Sequence, residues 1–324
     1  MKLLKLVPDN TNIDFMKWRN IALILSVIVT AAAIALVFTR GLNLGIDFVG
    51  GQELRVHFSQ PPSLDTLRGQ VEEVAGEGSS LQEFGGPNVI AIRMPLPVGG
   101  ETAASQAASR VRAAIQQSYP NARFDAVETV SGKVSQELFS SGAWAIALAM
   151  LGIAIYIWIR FEWQFGVGAL VTLFHDVWMT LGFFSLTQLE FNLNVIAAVL
   201  TIVGYSLNDT VVIYDRIREN LRKWRQMEIV PLLNLSLNET LSRTMVTSLS
   251  IMLALLALLI LGPDVIFGLT IAIFIGIFVG TYSSIYISSP VLVWLRVTTD
   301  SFRPKDPVSR AGQVRKEGYD GAQV

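Results

Sequence analysis

The stretch GYSLNDTVVIYDRIREN, residues 204–220, ends a long apolar run and places Asn208 and Asp209 side by side within it. A charge inside a membrane span costs about 2.5–3.5 kcal/mol on insertion scales, so this acid should face the bundle interior or water. At 100° per residue, one arc of about 80° on the helix collects small and polar side chains: Asn194, Ala198, Thr201, Tyr205 and Asp209. The stretch therefore predicts a membrane helix whose polar face lines a helix interface or a wet path.

The composition of the whole chain points the same way. Of its 324 residues, 52% are hydrophobic and 16% charged, and the mean hydropathy is +0.48, which excludes an ordinary soluble domain. A window of about 19 residues finds apolar spans, at 21–38, 143–159, 165–186, 191–212, 245–261 and 266–295. The chain is predicted to be a polytopic α-helical membrane protein with six transmembrane helices.

The orientation follows from Lys and Arg, which accumulate in cytoplasmic loops. Seventeen of the 25 basic residues fall on the N-terminal side of the membrane, and the other eight all lie between Arg40 and Lys133. We therefore predict a cytoplasmic N-terminus (1–20), an uncleaved first helix (21–38) and a periplasmic α+β domain (39–140). Helices two to six then occupy 141–295, with a cytoplasmic basic linker at 214–243 and a cytoplasmic tail at 296–324.

The outer segment has the pattern of one small domain. ELRVHF (53–58) alternates as a strand does, and Leu64, Leu67, Val71 and Val74 follow at helical spacing. Strands at 81–84 and 88–94, a helix through Ala104 to Ile115 and a strand at 123–130 complete the order βαββαβ, a ferredoxin-like arrangement. Its basic residues are interleaved with acids, so we expect no nucleic-acid partner.

The motifs of enzyme chemistry are missing from the sequence. SGKVS (131–135) lacks the glycine spacing of a phosphate-binding loop, and His57 is the only imidazole besides His175, which stands next to Asp176. We predict no enzyme activity, no metal and no cofactor.

Two acids inside spans are the candidate functional residues. Asp176 could serve an interhelical hydrogen bond or a functional step, and these two alternatives carry equal weight. Asp209 is the stronger candidate, because Arg243 opens the next span at a comparable depth and an ion pair between the two is plausible from their positions. Tyr205, Asn208 and Thr201 are its expected hydrogen-bond partners. The alternative is that the pair only holds two helices together.

The last span carries a ridge of small residues, each four positions after the one before: Ala272, Gly276, Gly280, Ser284 and Ser288. Such a ridge lets another helix approach closely. Together with the two acids it offers more interface than one six-helix bundle obviously needs, so we expect Gly276, Gly280 and Ser284 to serve packing against a further membrane subunit, with internal packing as the alternative.

Five motifs resemble one known family over nearly the whole chain: GIDFVGG (45–51), RFEWQF (160–165), HDVWMTLG (175–182), the opening stretch 204–220, and TLSRTMVTS (240–248). They are similar to the SecD/SecF family of the bacterial Sec protein-export apparatus, which is related to the resistance-nodulation-division transporters. The length of the chain and the SLND version of the motif favour the SecF branch.

The resemblance implies a complex with SecD, with YajC as a further candidate subunit, that joins the SecYEG channel in the bacterial inner membrane. It implies contact with lipid and with the translocating unfolded preprotein, and use of the proton motive force to promote export. It also carries a proton-coupling role over to Asp209 and Arg243. In the first motif, Gly45, Asp47, Gly50 and Gly51 are expected to form a structural turn, since glycine adopts positive φ freely.

Two other functions compete with a proton-driven translocase subunit. Half of a small-molecule or lipid exporter of the same superfamily would be expected to carry a second outer domain and six more helices. A scaffold that only stabilises other membrane subunits would have no need of Asp209.

The topology has a direct test. Cysteines introduced at Ser105 and Arg310 of this cysteine-free chain should react with impermeant reagents from opposite sides of the membrane. Labelling of both positions from outside whole cells would overturn the orientation.

Overall fold

The computed structural model of the chain describes residues 11–297 except 77, 85, 98 and 99. Its helices are α1 (Arg19–Thr39), α2 (Ile46–Val49), α3 (Leu64–Ala75), α4 (Gly100–Ser118), α5 (Gly132–Arg160), α6 (Trp163–Thr187), α7 (Leu193–Lys223), α8 (Ile229–Leu261), α9 (Phe267–Tyr286) and α10 (Ser288–Trp294). Its strands are β1 (Gly51–His57), β2 (Ser80–Glu83), β3 (Val89–Met94), β4 (Arg123–Phe124) and β5 (Glu128–Val130).

The prediction of six membrane-spanning helices is confirmed by length and composition. In the part of the chain that the structure describes, the spans are Phe15–Thr39, α5, α6, α7, α8 and Phe267–Trp294. Several are longer than the apolar windows suggested. The predicted linker 214–243 consists mostly of the end of α7 and the start of α8, so only a short turn separates these two helices.

Three of the six spans form the centre of the bundle. In their most apolar stretches 56% of α6, 50% of α7 and 44% of the last span are buried, against 22%, 11% and 17% for the first span, α5 and α8. Small side chains let membrane helices pack closely without a hydrophobic driving force, and Gly168 of α6 and Gly276 of α9 both lie directly against side chains of α7. The buried face of α7, which includes Asp209, thus lies in the middle of the bundle.

The small-residue ridge of α9 packs against α7 of the same chain. A Cβ at Gly276 would overlap the side chain of Ile202, and one at Gly280 would lie 3.3 Å from Ser206 Cβ. Ser284 is fully buried as well. The expectation that this ridge binds a further subunit is therefore wrong, since α7 already occupies it.

Helix α9 ends at Tyr286 and α10 begins at Ser288, so the last span is interrupted at Ile287. Pro290 explains the break: it has no N–H to donate to Tyr286 four residues back, and its ring would clash with that carbonyl. Tyr214 of α7 donates from its hydroxyl to the Ser288 carbonyl at 3.2 Å and so ties the break to the centre of the bundle.

The outer domain is an antiparallel sheet in the order β2-β3-β1-β4, with β5 also paired to β1. Helix α3 connects β1 to β2, and α4 connects β3 to β4. The predicted apolar faces meet in one core that includes Leu54, Val56, Leu67, Val111 and Ile115. The sheet is covered on this face by both helices.

The last predicted strand, 123–130, is in fact two short strands. Phe124 pairs with Val56 and Glu128 with Glu53, so three residues of one strand oppose two of β1. One extra residue in an antiparallel pair is a β-bulge, which bends the strand and interrupts the ladder. Alternation of side chains alone does not reveal such an insertion.

The described N-terminal residues form hydrogen bonds with the first half of α8, which the predicted topology places towards the cytoplasm. Asn238 accepts from the Ile13 N–H and donates to its carbonyl, both at 2.9 Å, and Asn234 accepts from the Met16 N–H at 3.0 Å. Phe15 and Met16 are buried in the large core cluster at this end of the bundle. The rest of the predicted cytoplasmic N-terminus (1–10) and the predicted tail from 298 onward lie outside the described residues.

The contact of α9 with α7 generates a first prediction. Gly276→Leu should lower the free energy of unfolding in detergent by about 1–3 kcal/mol, because the new side chain must displace Ile202. Gly204→Leu is the matched control, since a Cβ at Gly204 on α7 meets nothing within 4 Å. Equal stability of the two variants would contradict the packing described here.

Candidate functional site

Two carboxyl groups lie deep in the bundle where α6, α7, α8 and α9 meet. Asp176 on α6 is fully buried and Asp209 on α7 is 3% exposed. The sequence pattern identified both, and the structure gives them different surroundings.

Asp176 is completely paired. Its Oδ2 accepts from Ser206 Oγ of α7 at 2.5 Å and from Ser283 Oγ of α9 at 2.9 Å, and its Oδ1 lies 2.9 Å from His175 Nδ1. Gly280 leaves room for this cluster, since a Cβ added there would lie 3.7 Å from Asp176 Oδ2. Because three helices meet at one carboxylate, Asp176 has the contacts expected of an interhelical tie.

Asp209, by contrast, has an unpaired oxygen. Its Oδ2 is buried and has no hydrogen-bond partner among the residues that the structure describes. The two groups that act on it come from α8: the hydroxyl of Ser248 and the charge of Arg243. No ion pair within 4 Å joins Asp209 to Arg243 in the described part of the chain, so the plausible ion pair is not formed, and Arg243 is exposed.

Contacts between α7 and α8 place Asp209 and Arg243 at the same level. On one side of them Tyr205 donates to Ser248 Oγ at 3.1 Å, and on the other side Arg216 Nε pairs with Glu239 Oε2 at 2.7 Å. These two contacts bracket the acid and the arginine along antiparallel helices, so the two residues lie at the same depth on neighbouring helices.

A short chain of hydroxyl groups runs beside Asp209. Tyr205 donates to Ser248 Oγ at 3.1 Å, and Thr281 Oγ1 lies 2.8 Å from both Ser248 Oγ and the Ile277 carbonyl oxygen. Ser248 and Thr281 were not singled out in the sequence. Their signal is weak, since lone hydroxyl residues in membrane helices commonly bond to their own backbone.

The other two expected partners of Asp209 do not contact it. Asn208 is exposed, and Thr201 is exposed with its hydroxyl donating to the Ala197 carbonyl at 2.8 Å. The helical-wheel arc placed Thr201 on the face of the acid, and Asn208 is its neighbour in the chain, but both residues lie outside the buried face. The predicted partners Asn208 and Thr201 are thus wrong, and Tyr205 acts through Ser248.

Between residues 194 and 208, the exposed residues of α7 form a stripe of small and polar side chains, which we call the α7 stripe: Asn194, Ala197, Thr201, Gly204 and Asn208. They recur every three or four residues and so lie on one face of the helix. Amide groups facing hydrocarbon are unfavourable, so this face is unsuited to lipid.

The glycine-rich motif after α1 joins the outer domain to α7. Asp47 Oδ2 accepts from the Leu193 N–H at 2.9 Å, at the first residue of α7. A carboxylate at this position pairs a free helix donor and complements the positive end of the helix dipole. Gly50 and Gly51 have φ of 74° and 126°, a conformation that favours glycine.

Gly45 has an ordinary φ and serves a different purpose. A Cβ there would collide with the carboxylate of Glu190, in the loop between α6 and α7. The Gly45 N–H also donates to the Phe191 carbonyl at 2.9 Å, and the Phe191 N–H to Asn43 at 2.8 Å. Glu190 has no distinctive sequence signal, because a single acid between two apolar spans is typical of an ordinary loop residue.

The described residues contain no group of three or more His, Cys, Asp or Glu side chains arranged to hold a metal ion. The chemistry available at the centre of the bundle is proton exchange at Asp209, with hydroxyl groups and one guanidinium around it.

Comparisons with known proteins agree with these motifs. The family model "Protein export membrane protein SecD/SecF, C-terminal" matches residues 110–298, and the model "SecD/SecF GG Motif" matches residues 35–62. The protein translocase subunit SecF of Rickettsia akari is 42% identical over 290 residues, covering 89% of this chain and 94% of the relative. That of Pseudomonas aeruginosa is 42% identical over 294 residues, covering 90% and 94%.

Among solved structures, the chain is similar to SecDF from Thermus thermophilus, a translocon-associated membrane protein, with a TM-score of 0.81 and 36% identity. A SecDF structure in a super-membrane-facing form matches with a TM-score of 0.66. In both, 89% of this chain is covered but only 39% of the SecDF chain.

Proposed function

The chain belongs to the SecD/SecF family of protein-export membrane proteins and is an accessory subunit of the Sec translocase, and we propose that it uses the proton motive force, with SecD, to promote protein translocation. The observation that carries this proposal is the buried Asp209 oxygen without a hydrogen-bond partner. A carboxyl in such a place can change its protonation state without breaking an existing bond.

The depth of Asp209 supports the proposal. It lies sixteen residues into α7, about 24 Å along the helix from the side of the outer domain. Arg243, eighteen residues before the end of α8, lies about 27 Å from that side. In a hydrocarbon core of about 30 Å, both groups would lie within the membrane and closer to the surface opposite the outer domain.

The mechanism follows from the change of charge. When Asp209 is ionised, the buried carboxylate attracts the guanidinium of Arg243 across the α7–α8 interface. When it is protonated, that attraction disappears and Ser248 remains as its polar neighbour. Each protonation state therefore favours a different packing of α7 against α8, and a proton flow would drive the chain between the two.

The α7 stripe supports SecD as the partner. This polar face is left uncovered by the described chain, and the solved SecDF relative is a longer chain of which ours matches 39%. A helix of SecD placed against Asn194, Thr201 and Asn208 would shield them from lipid and pair their side chains. Asp209 would then lie close to the boundary between the two subunits.

The remaining partners and the compartments belong to the same proposal. The complex would associate with SecYEG, with YajC and with the translocating preprotein in the bacterial inner membrane. The segment 39–140 would face the periplasm as a ferredoxin-like domain, which its strand order β2-β3-β1-β4 supports. The termini (1–20 and 296–324) and the linker 214–243 would face the cytoplasm. We propose no enzymatic step.

Asp209→Asn tests the proton-coupling role. The amide keeps the size and polarity of the side chain but cannot titrate, so the complex should assemble while the stimulation of export by a proton gradient is lost completely. Export into vesicles, with and without a gradient and at matched amounts of complex, measures this. A scaffold would tolerate the change, and normal stimulation in the variant would rule out the relay.

Gly204→Leu tests the partner surface. In the isolated chain the new side chain meets open space, so stability should be unchanged, whereas in the complex it should hinder a helix packed on the α7 stripe. We expect at least a tenfold weaker association with SecD, equivalent to about 1.4 kcal/mol, measured by co-purification at increasing dilution. An unaffected complex would mean that SecD binds another face.

A further inference from the structure

A second cluster of buried charges lies outside the membrane spans, where the outer domain meets the bundle. It consists of Glu53 and Arg55 on β1, Arg93 on β3 and Glu190 in the loop between α6 and α7. Their side chains are 1%, 12%, 12% and 8% exposed. The function proposed above does not use this cluster.

Arg93 is the hub of the cluster. Its Nε pairs with Glu53 Oε2 at 3.2 Å, its Nη1 donates to Asn43 Oδ1 at 3.0 Å and its Nη2 lies 2.7 Å from Glu190 Oε2. One guanidinium thus joins the sheet, the segment that enters the outer domain and the loop that leads into α7. Arg93 is one of the groups that hold the domain on the bundle, beside Gln82 of β2, whose side-chain amide donates to the Gln188 carbonyl at 3.0 Å.

The two acids are unequally paired. Glu53 has a guanidinium on each oxygen, since Arg55 Nε lies 2.8 Å from its Oε1 and Arg93 Nε contacts its Oε2. Glu190 has an ion pair only with Arg93, which also pairs with Glu53, and the Arg93–Glu190 contact lacks the alignment of a hydrogen bond. Glu190 is also wedged against the backbone of Gly45. It is the acid of the cluster that is least compensated for its burial.

We propose that Glu190 is a positioning residue for coupling, whose proton uptake strengthens the docking of the outer domain on the end of α7 and whose proton release weakens it. The inference rests on the proposed function for its purpose, since α7 also carries Asp209, sixteen residues after its first residue. The docking itself is a property of the contacts around Glu190 and can be measured without export.

The direction of the effect follows from linkage. The charged groups facing Glu190 are Glu53 and Arg55 from β1 and Arg93 from β3. Burial raises the pKa of Glu190, the charge of Glu53 raises it further, and the two arginines oppose this in part. After release into water the carboxyl would have its ordinary pKa of about 4.3. The proton therefore binds more tightly in the docked state, and docking loses this stabilisation as pH rises through the raised pKa.

Release of the contact between Glu190 and the outer domain would also affect the start of α7. The same loop continues through Phe191, held by the Gly45 N–H, to Leu193, whose N–H is capped by Asp47. When the outer compartment is acidic, the domain is docked and the start of α7 is fixed. When the outer compartment is not acidic, the outer domain and the start of α7 can move apart.

The test uses the distance between the domain and the bundle. The chain has no cysteine, so spin labels at Ser105→Cys on α4 and Thr187→Cys at the end of α6, both exposed, report this distance cleanly. With the full chain and its membrane partner in lipid nanodiscs, pulsed electron resonance should give a narrow distance distribution at acidic pH and a broader one at alkaline pH.

Three substitutions make the result specific. Glu190→Gln resembles the protonated acid and should stay narrow at every pH, while Glu190→Asp retains a titrating group and should keep the pH dependence. Glu128→Gln is the matched control, because this acid also faces Arg55 but is 57% exposed, and it should behave as the unsubstituted chain does.

The same measurements can overturn the proposal. A distribution that does not change with pH in the unsubstituted chain would show that docking is not linked to a proton. A pH dependence that persists in Glu190→Gln would assign it to another group. Because neither readout involves export or a gradient, failure here leaves the role of Asp209 standing, and loss of that role leaves this result unaffected.

Discussion

The fold is organised around a carboxyl group that the bundle buries without pairing both of its oxygens. In a low-dielectric interior an ion without a partner is costly, and removal of one partner from a buried pair is more costly still. Asp176 meets this constraint with three fixed partners from α6, α7 and α9. Asp209 meets it only through neighbours on α8, so its charge depends on where that helix lies.

Helix α7 connects this carboxyl to the outer domain. Its 31 residues span about 46 Å, with Asp47 of the glycine-rich motif at one end and Asp209 near the other side of the membrane. The ridge of α9 packs along the same helix and makes it the central element of the bundle. A shift of α7 in response to a proton would thus be transmitted to the domain contact, where Glu190 and Arg93 lie.

Local patterns in the sequence predicted the helices and strands but not which of them contact each other. Six apolar runs predicted six spans, and alternation predicted the buried face of β1, because both depend on spacing along the chain. The break at Ile287 and the bulge after Phe124 depend on one proline ring and one extra residue. The Arg93–Glu190 contact joins positions almost 100 residues apart. Thr201 was misplaced because a helical wheel gives the direction of a side chain but not which helix lies opposite it.

The proposed coupling requires that the side chain of Asp209 gains and loses a proton while the helices around it stay assembled. Infrared difference spectroscopy on the complex in lipid, recorded as the outer pH is stepped, measures this directly. In the Glu190→Gln background, which removes the other carboxyl proposed to titrate, a reversible signal of a protonated carboxyl should disappear with Asp209→Asn and persist with Asp176→Asn. A signal in this background that is unchanged by Asp209→Asn would contradict proton exchange at Asp209 and would leave it as a packing residue.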